Sequence, residues 1–258
     1  MNLSSLWSRA QGRYQRSLSN WSYRRTVRIS PSPAHISFSF DDFPASAYHV
    51  GGTILSRYGF RGTYYVSFGL LGADTTSGRI CVLEDVKNLL DDGHELGCHT
   101  YAHCHSWDTI PELFEQSLLE NKQALTRYMP TMSFASLAYP IVGPRPGTKR
   151  RAGQHFLSCR GGGQIFNSGM VDLNLLKAYF LEKSRDNVDV VKQMVDQCIE
   201  SRGWLIFATH DISDTPTPYG CTPAFFEEIV RYSSNSGATI LPVTKALNAL
   251  VCPDTETK

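Results

Sequence analysis

From residue 35 onward, short apolar runs of β type alternate with longer stretches whose apolar residues recur at helical spacing. The apolar runs, which predict strands, lie at residues 35–40, 62–67, 95–99, 134–139, 156–159, 204–209 and 238–241. The helical patterns lie at residues 46–57, 82–91, 111–128, 186–202, 222–234 and 243–250. Strands that alternate with helices predict a parallel sheet of the α/β class. About seven strands in one domain favour a distorted or incomplete (β/α) barrel over an open doubly wound sheet.

The first 34 residues follow a different pattern, which predicts a basic amphipathic helix ahead of the barrel. Its apolar positions recur at helical spacing and are Leu3, Trp7, Ala10, Tyr14, Leu18 and Trp21. Its charged residues are all arginines, namely Arg9, Arg13, Arg16, Arg24, Arg25 and Arg28. We expect this segment, residues 1–34, to pack on the domain formed by residues 35–258 or on a partner subunit, with peripheral contact to a membrane as the alternative.

Composition narrows the functional classes. With 258 residues, 41% of them hydrophobic and 19% charged, the chain is long enough to bury a full core. The 25 basic and 24 acidic residues give a net charge of +1, so we expect no nucleic-acid partner. Because the sequence contains no apolar run of about 18 residues and no secretory signal, we expect a cytoplasmic protein. The seven cysteines include no C-x-x-C pair, which indicates reduced thiols.

Two adjacent carboxylates end the first apolar run, which reads ISFSFDDFP. These are Asp41 and Asp42. Burying a carboxylate costs several kcal/mol unless a cation or hydrogen bonds offset the lost hydration. The pair therefore requires a partner from another part of the chain.

Two histidines are the best candidates for that partner. In GHELGCHTYAH, residues 93–103, His99 and His103 follow a β-type run and stand four residues apart. In a parallel barrel both segments end at the same carboxyl-terminal face, so one aspartate and two histidines can form a two-His-one-carboxylate site. Three protein ligands leave a position for water, which is typical of a catalytic zinc site. The other aspartate of the pair is then free to act as a base.

Two rival metal sites fit less well. A zinc protease with the motif H-E-x-x-H has a glutamate where this chain has Thr100, so its general base is missing. Cys98 and Cys104 are also potential ligands, but their spacing is atypical and thiolates lower the Lewis acidity that hydrolysis needs. A further histidine, His210, ends the apolar run WLIFATHD and is placed to supply the acid for a leaving group.

Four segments resemble the polysaccharide deacetylases, carbohydrate esterase family four, in the order found in that family. They are FSFDDFP (38–44), GHELGCHTYAH (93–103), LAYPIVG (137–143) and IFATHD (206–211). The resemblance spans residues 35–250 and implies a distorted (β/α) barrel. It also implies an enzyme that binds one divalent ion, most simply zinc, and removes N-acetyl groups from amino sugars. It further implies Asp41 as general base, His210 as general acid, and three metal ligands. The ligands are Asp42, His99 and His103.

The third segment supports the site less directly. The resemblance implies that a backbone N–H near Ile141 stabilises the oxyanion. Tyr139 is a candidate for stacking on a sugar, although an aromatic residue before proline is commonly a core residue. Many family members have an arginine here that orients the general base, and this chain has Ala138 in its place.

Two substitutes from other segments are therefore considered. Arg160, in FLSCRGGG, is a candidate to replace the missing arginine or to contact substrate, with a solvated loop residue as the alternative. Asp172 is a weak candidate for the acid that pairs with His210, since it can equally cap the following segment.

The expected function is hydrolysis of an N-acetylated amino sugar in a surface polysaccharide such as lipopolysaccharide, or in its lipid- or nucleotide-linked precursor. The alternatives are a related C–N hydrolase that acts on a formylated sugar or a cyclic ureide, and a catalytically silent carbohydrate-binding relative. Retention of both aspartates and three histidines favours an enzyme, whereas loss of the third-segment arginine keeps the silent alternative open.

Overall fold

A curved parallel sheet lies at the centre of the protein, whose computed structural model describes residues 17–141 and 143–251. Across the sheet its strands are β10 (Tyr179–Phe180), β11 (Trp204–Thr209), β2 (His35–Phe40), β3 (Thr63–Val66), β6 (Glu95–Cys98), β7 (Ser136–Ala138) and β8 (Ser158–Arg160). Every neighbouring pair along this path is parallel. A short strand, β12 (Thr239–Ile240), also pairs with the start of β2. The predicted α/β class and incomplete (β/α) barrel are confirmed.

Helices connect these strands and pack against the sheet. They are α1 (Thr53–Arg57, preceded by a π-helical turn at Ala47–Gly52), α2 (Leu83–Asp91), α3 (Pro111–Tyr128), α4 (Pro146–Ala152), α5 (Val188–Glu200), α6 (Pro223–Asn235) and α7 (Val243–Leu250). Proline occupies the first position of α3, α4 and α6, where its missing N–H removes no helical hydrogen bond. The side chain of Thr222 caps α6 by accepting a hydrogen bond from the Phe225 N–H.

The two central strands, β2 and β11, are buried along their whole length. Phe38 of β2 stacks on Phe207 of β11 with ring centroids 5.4 Å apart, and both rings belong to the main core. The ladder extends one step beyond β2, because the Asp41 N–H donates to the Thr209 carbonyl at 2.9 Å. The pairing of these strands therefore fixes the backbone of Asp41 at the carboxyl edge of the sheet.

The barrel is incomplete where β8 approaches β10. Residues 173–176 run beside β8, and the Cys159 N–H donates to the Leu173 carbonyl while the Leu176 N–H donates to the Cys159 carbonyl. Irregular chain, together with an isolated parallel bridge between Arg160 and Leu176, therefore bridges the two edges of the sheet. This arrangement brings the ends of β8, β10 and β11 toward one another.

The N-terminal segment differs from its prediction. Residues 17–21 are helical, but β1 (Thr26–Ile29) is a strand that pairs antiparallel with β9 (Gly169–Asp172), so the expectation of a helix is wrong there. The alternation of TVRI explains the difference, because Ile29 is buried while Arg28 stays exposed. The Lys149 ammonium also donates to the Ser19 carbonyl at 2.6 Å, which ties the helical stretch to the domain. The predicted apolar positions before residue 17, and Arg9, Arg13 and Arg16, lie outside the described residues.

Several elements carry no clear sequence pattern. These are the β4–β5 hairpin (Asp74–Thr75 and Gly78–Arg79), α4, β9 and β10. The glycines at 161–163 form a loop, as predicted. In the described part of the chain, no helix combines the length and the apolar character needed to cross a membrane.

Candidate active site

The candidate site occupies a cavity of about 350 Å³ at the carboxyl ends of the parallel strands. The residues predicted to act there that line the cavity are Asp41, Asp42, His99, His103, Tyr139, Ile141 and His210. They arrive from four different strands, β2, β6, β7 and β11. The parallel order of the sheet is therefore what brings together side chains that are far apart in the chain.

Asp42, His99 and His103 form a compact cluster. The Asp42 Oδ1 atom lies 3.3 Å from His99 Nε2 and 3.1 Å from His103 Nε2, and the potential ligand atoms of the three residues all lie within 4.8 Å of one another. His99 is buried, and His103 is partly exposed at the cavity. Although burial alone would raise it, the neighbouring imidazoles of His103 and His99 hold the pKa of Asp42 well below its usual range.

The donor atoms of this cluster fit a divalent metal. His99 Nδ1 lies 2.8 Å from the Ala138 carbonyl oxygen, which can only accept, so Nδ1 carries the proton and Nε2 of the neutral ring presents a lone pair. Asp42 Oδ1, which this lone pair faces, is buried and has no hydrogen-bond partner of its own. A cation held between these atoms removes their repulsion. Two imidazoles and a carboxylate are a donor set that zinc accepts in catalytic sites.

The loops that carry the cluster hold unusual backbone conformations. Positive φ angles occur at Asp42 (60°), Phe43 (55°), Thr100 (62°), His103 (52°) and Ile141 (54°). Non-glycine residues rarely adopt positive φ angles. Backbone strain of this kind is concentrated at functional sites of proteins. The strain places two of the three candidate metal ligands, so their directions are not those of ordinary strand ends.

Arg160 supplies the buried partner of Asp41. Its guanidinium donates to Asp41 Oδ1, and both side chains are almost fully buried. The guanidinium also lies over the ring of Tyr65, 4.6 Å from its centroid. Although burial raises it, the positive charge of Arg160 lowers the pKa of Asp41 below its ordinary value. Asp41 is therefore an ionised carboxylate held in one orientation.

The missing arginine of the third segment is thereby explained by the sheet register. Ala138, at the end of β7, pairs directly with Arg160 at the end of β8. Arg160, on the strand next to Ala138, thus places a guanidinium against Asp41, which the methyl group of Ala138 cannot pair with. The structure places Arg160 in contact with Asp41 and not in a solvated loop.

His210 presents one nitrogen to the cavity. Its Nδ1 lies 3.2 Å from the Tyr219 carbonyl oxygen, so this nitrogen carries a proton and Nε2 remains for a reacting group. Asp172, the weak candidate for the acid that pairs with His210, does not line this cavity. It ends β9 and pairs with the buried Lys149 ammonium at 2.6 Å. A buried ammonium requires an opposite charge to offset its lost hydration.

A glutamate takes the place next to His210. Phe180 of β10 pairs with Ala208 of β11, and the two strands are parallel. Glu182 and His210 each lie two residues beyond these paired positions. Both side chains line the cavity. The Glu182 Oε2 atom is buried with no hydrogen-bond partner, and burial raises the pKa of this carboxyl to about 7, against the lowering effect of His210. Sequence reasoning missed Glu182 because a strand of two residues has no detectable periodicity.

The residues of the third segment take different positions. Ile141 is 48% exposed and lines the cavity, so its backbone can face a bound substrate. Tyr139 is buried, and its hydroxyl donates to the Asn174 carbonyl at 3.2 Å. Only part of the Tyr139 ring therefore borders the cavity, and its hydroxyl points into the core.

Of the two rival cysteine ligands, Cys98 is hydrogen-bonded elsewhere. The Cys98 sulfur accepts a hydrogen bond from the Asn121 amide at 3.3 Å, and burial raises the pKa of this thiol to about 11. The Thr100 hydroxyl accepts from the Cys104 N–H at 2.9 Å, so it shapes the loop between the two histidines. Neither cysteine belongs to the cluster of Asp42, His99 and His103.

Comparisons with known proteins agree with this arrangement. The model of the family described as polysaccharide deacetylase matches residues 28–154, which include Asp41, Asp42, His99 and His103. No curated protein sequence matches the chain.

Solved structures with a similar fold include enzymes and a pseudoenzyme. A family 4 acetyl xylan esterase from Clostridium thermocellum in complex with a cobalt ion has a TM-score of 0.59 and 18% identity, covering 84% of this chain and 93% of that one. Peptidoglycan deacetylase PdaC from Bacillus subtilis has a TM-score of 0.55 and 13% identity, with coverages of 85% and 93%. A CE4 family pseudoenzyme from Bacillus anthracis has a TM-score of 0.58 and 13% identity, with coverages of 84% and 66%. At these identities the structures support the fold.

Proposed function

We propose that this chain, a member of the polysaccharide deacetylase family, is a metal-dependent hydrolase. Its proposed reaction is the removal of N-acetyl groups from an amino sugar. The observation that carries the proposal is the separation of the two adjacent aspartates. Both aspartates line one cavity, where Asp42 faces His99 and His103 and Asp41 faces the buried Arg160. One carboxylate can thus hold a metal while the other remains available for proton transfer.

Asp42, His99 and His103 would hold the ion, for which we propose zinc. A divalent ion there would supply Lewis acidity toward the acetyl carbonyl and toward water. Asp41 accepts the proton of the attacking water, since it is ionised and Arg160 fixes its orientation. His210 delivers a proton from Nε2 to the leaving amine, and the Glu182 carboxyl lines the same cavity. The backbone N–H of Ile141 is the proposed donor to the oxyanion.

The ligand assignment is tested by metal content and acetate release measured together. We expect the purified protein to hold one divalent ion and to release acetate from N-acetylated oligosaccharides, and a chelator to abolish the activity. Asp42→Ala or His103→Ala should lose the metal and the activity, because removal of one of three protein ligands weakens binding severely. As a control, His105→Ala alters a nearby histidine that pairs with Asp108, and it should keep both properties.

The same measurements separate the alternatives. Unchanged metal affinity in Asp42→Ala would contradict the assigned site. A protein that holds the metal but releases no acetate from any N-acetylated sugar would be a related C–N hydrolase or a silent carbohydrate-binding relative. Formate release from formylated sugars, or ring opening of a cyclic ureide, would identify the hydrolase, and neither reaction is expected of the silent relative.

We propose a precursor of a surface glycan as the substrate, met in the cytoplasm at a membrane surface. The six cysteines in the described residues are free thiols, as expected in a reducing compartment. Trp21 is 75% exposed beside the exposed Arg24, whose guanidinium lies 5.8 Å from the Trp21 ring centroid. An exposed indole with adjacent basic residues suits the headgroup region of anionic lipid.

Vesicle co-sedimentation tests this membrane contact. We expect the protein to partition onto vesicles with anionic lipid, and Trp21→Ala combined with Arg24→Ala to reduce the bound fraction several-fold. Lys245→Ala, an exposed cation on α7, is the matched control and should bind as the parent protein does. Equal partitioning of all variants, or none by any of them, would contradict the contact. Point variants are preferable to truncation because β1 belongs to a ribbon with β9.

A further inference from the structure

The β4–β5 hairpin lies against the segment after β2 that carries Asp42, the first of the proposed metal ligands. Its two-residue turn is Thr76 and Ser77, and Thr76 lines the cavity. The base of the hairpin is attached directly beyond Asp42, because the Cys81 N–H donates to the Phe43 carbonyl at 3.0 Å and Ile80 forms a bridge with Pro44. The hairpin therefore holds the two residues with positive φ, Asp42 and Phe43, in place.

Ser77 makes the decisive contact. Its side chain is buried, and its hydroxyl donates to Asp42 Oδ2 at 2.6 Å. Asp42 Oδ1 is the oxygen that faces His99 and His103. The two carboxylate oxygens thus have different partners, one a hydroxyl and the other the two imidazoles.

The local hydrogen-bond pattern explains the direction of this bond. The Thr75 hydroxyl donates its one proton to the Gly78 carbonyl at 3.0 Å and accepts from the Ser77 N–H at 3.2 Å. The Ser77 hydroxyl lies 2.9 Å from the Thr75 hydroxyl oxygen, but its own proton is directed to Asp42, since an ionised carboxylate only accepts. In this turn the hydroxyl proton of Ser77 is therefore donated to the carboxylate of Asp42.

We propose that Ser77 is the positioning residue for Asp42, and that its hydrogen bond to Oδ2 leaves Oδ1 as the oxygen available to a metal. This inference rests on the metal site of the proposed function. The bond fixes the rotation of the carboxylate and favours one-oxygen ligation over two-oxygen ligation. Because Thr76 in the same turn borders the cavity, the hairpin also joins the metal ligand to the substrate wall.

The test is a titration of the metal-free protein with Zn²⁺ in a calorimeter. Groups that orient a metal ligand typically contribute about 10- to 100-fold in affinity, so Ser77→Ala should raise the Kd for Zn²⁺ by about that factor. Ser39→Ala is the matched control. Ser39 is also buried and donates to the Phe207 carbonyl at 2.7 Å, so this variant should bind Zn²⁺ within about twofold of the parent protein.

A spectroscopic measurement separates positioning from loss of structure. With Co²⁺ as the probe, Ser77→Ala should show a weaker visible absorption, because a carboxylate free to bind through both oxygens raises the coordination number. The circular dichroism melting curve of the metal-free variant should match that of Ser39→Ala. An unchanged Zn²⁺ affinity and Co²⁺ spectrum in Ser77→Ala would overturn the inference while Asp42→Ala still loses metal. If Asp42→Ala also binds normally, the proposed metal site itself fails.

Discussion

Replacement of Asp41 by asparagine is expected to abolish turnover while leaving the metal affinity nearly unchanged. A carboxamide has almost the shape of the carboxylate and can still accept the hydrogen bond from Arg160, but it cannot take a proton from water. Loss of a general base typically lowers kcat by about 10²- to 10⁴-fold. Acetate release and Zn²⁺ titration on the same preparation measure the two properties. Asp41 does not belong to the cluster of potential ligands, so the titration should be normal.

His210→Ala is the companion variant for the acid. It should lower kcat by a similar factor, about 10²- to 10⁴-fold, because an amine leaves poorly unless it is protonated. Asp196→Asn, an exposed carboxylate on α5, is the control and should retain full activity. Loss of metal together with activity in Asp41→Asn would mean that the roles of the two aspartates are reversed.

Removal of Arg160 is expected to destabilise the fold as well as the site. Arg160→Ala leaves Asp41 buried without its cation, and breaking a buried pair in this way typically costs about 3–5 kcal/mol. Urea unfolding of the metal-free protein measures the loss. Arg151→Ala removes a surface guanidinium that pairs with Glu112 and Glu115, so it serves as the control and should cost far less.

The pH dependence of that stability should change sign. The pKa of Asp41 is below its ordinary value when folded, so the pair contributes stability above the unfolded pKa, near 4, and loses it as the pH falls through the folded pKa. Without Arg160, burial dominates and raises the pKa of Asp41 above its ordinary value. The variant should therefore gain stability as the pH is lowered from neutral toward 5. A stability loss no larger than that of Arg151→Ala would contradict the assigned ion pair.

Local patterns in the sequence were sufficient for most of the elements that build the barrel. The apolar runs at 35–40 and 204–209 coincide with β2 and β11, and the helical pattern at 111–128 coincides with α3. Periodicity is a property of neighbouring residues, and burial of a whole strand or one helical face leaves it in the sequence. The adjacent aspartates and the histidines four residues apart were also visible in the sequence, because the members of each pair are close neighbours in the chain.

The N-terminal segment shows where periodicity misled. Leu18 and Trp21 fit a helical spacing and residues 17–21 are helical, yet Thr26–Ile29 forms a strand because the distant strand β9 (Gly169–Asp172) offers a partner. Pairing with a distant strand satisfies backbone groups that a local pattern cannot account for. Tertiary context therefore overrode the helical tendency in this stretch.

The class of the fold, most of its regular elements and the chemical types of the residues at the site can be predicted from the sequence. Which of these residues meet depends on the tertiary structure. Arg160 lies 119 positions from Asp41 and reaches it from β8, beside Ala138. Ser77 reaches Asp42 from a hairpin, and Glu182 enters the cavity lined by His210 after a strand of two residues. These contacts depend on sheet order, register and loop path, which arise from the packing of distant segments and leave no periodic signal in the chain.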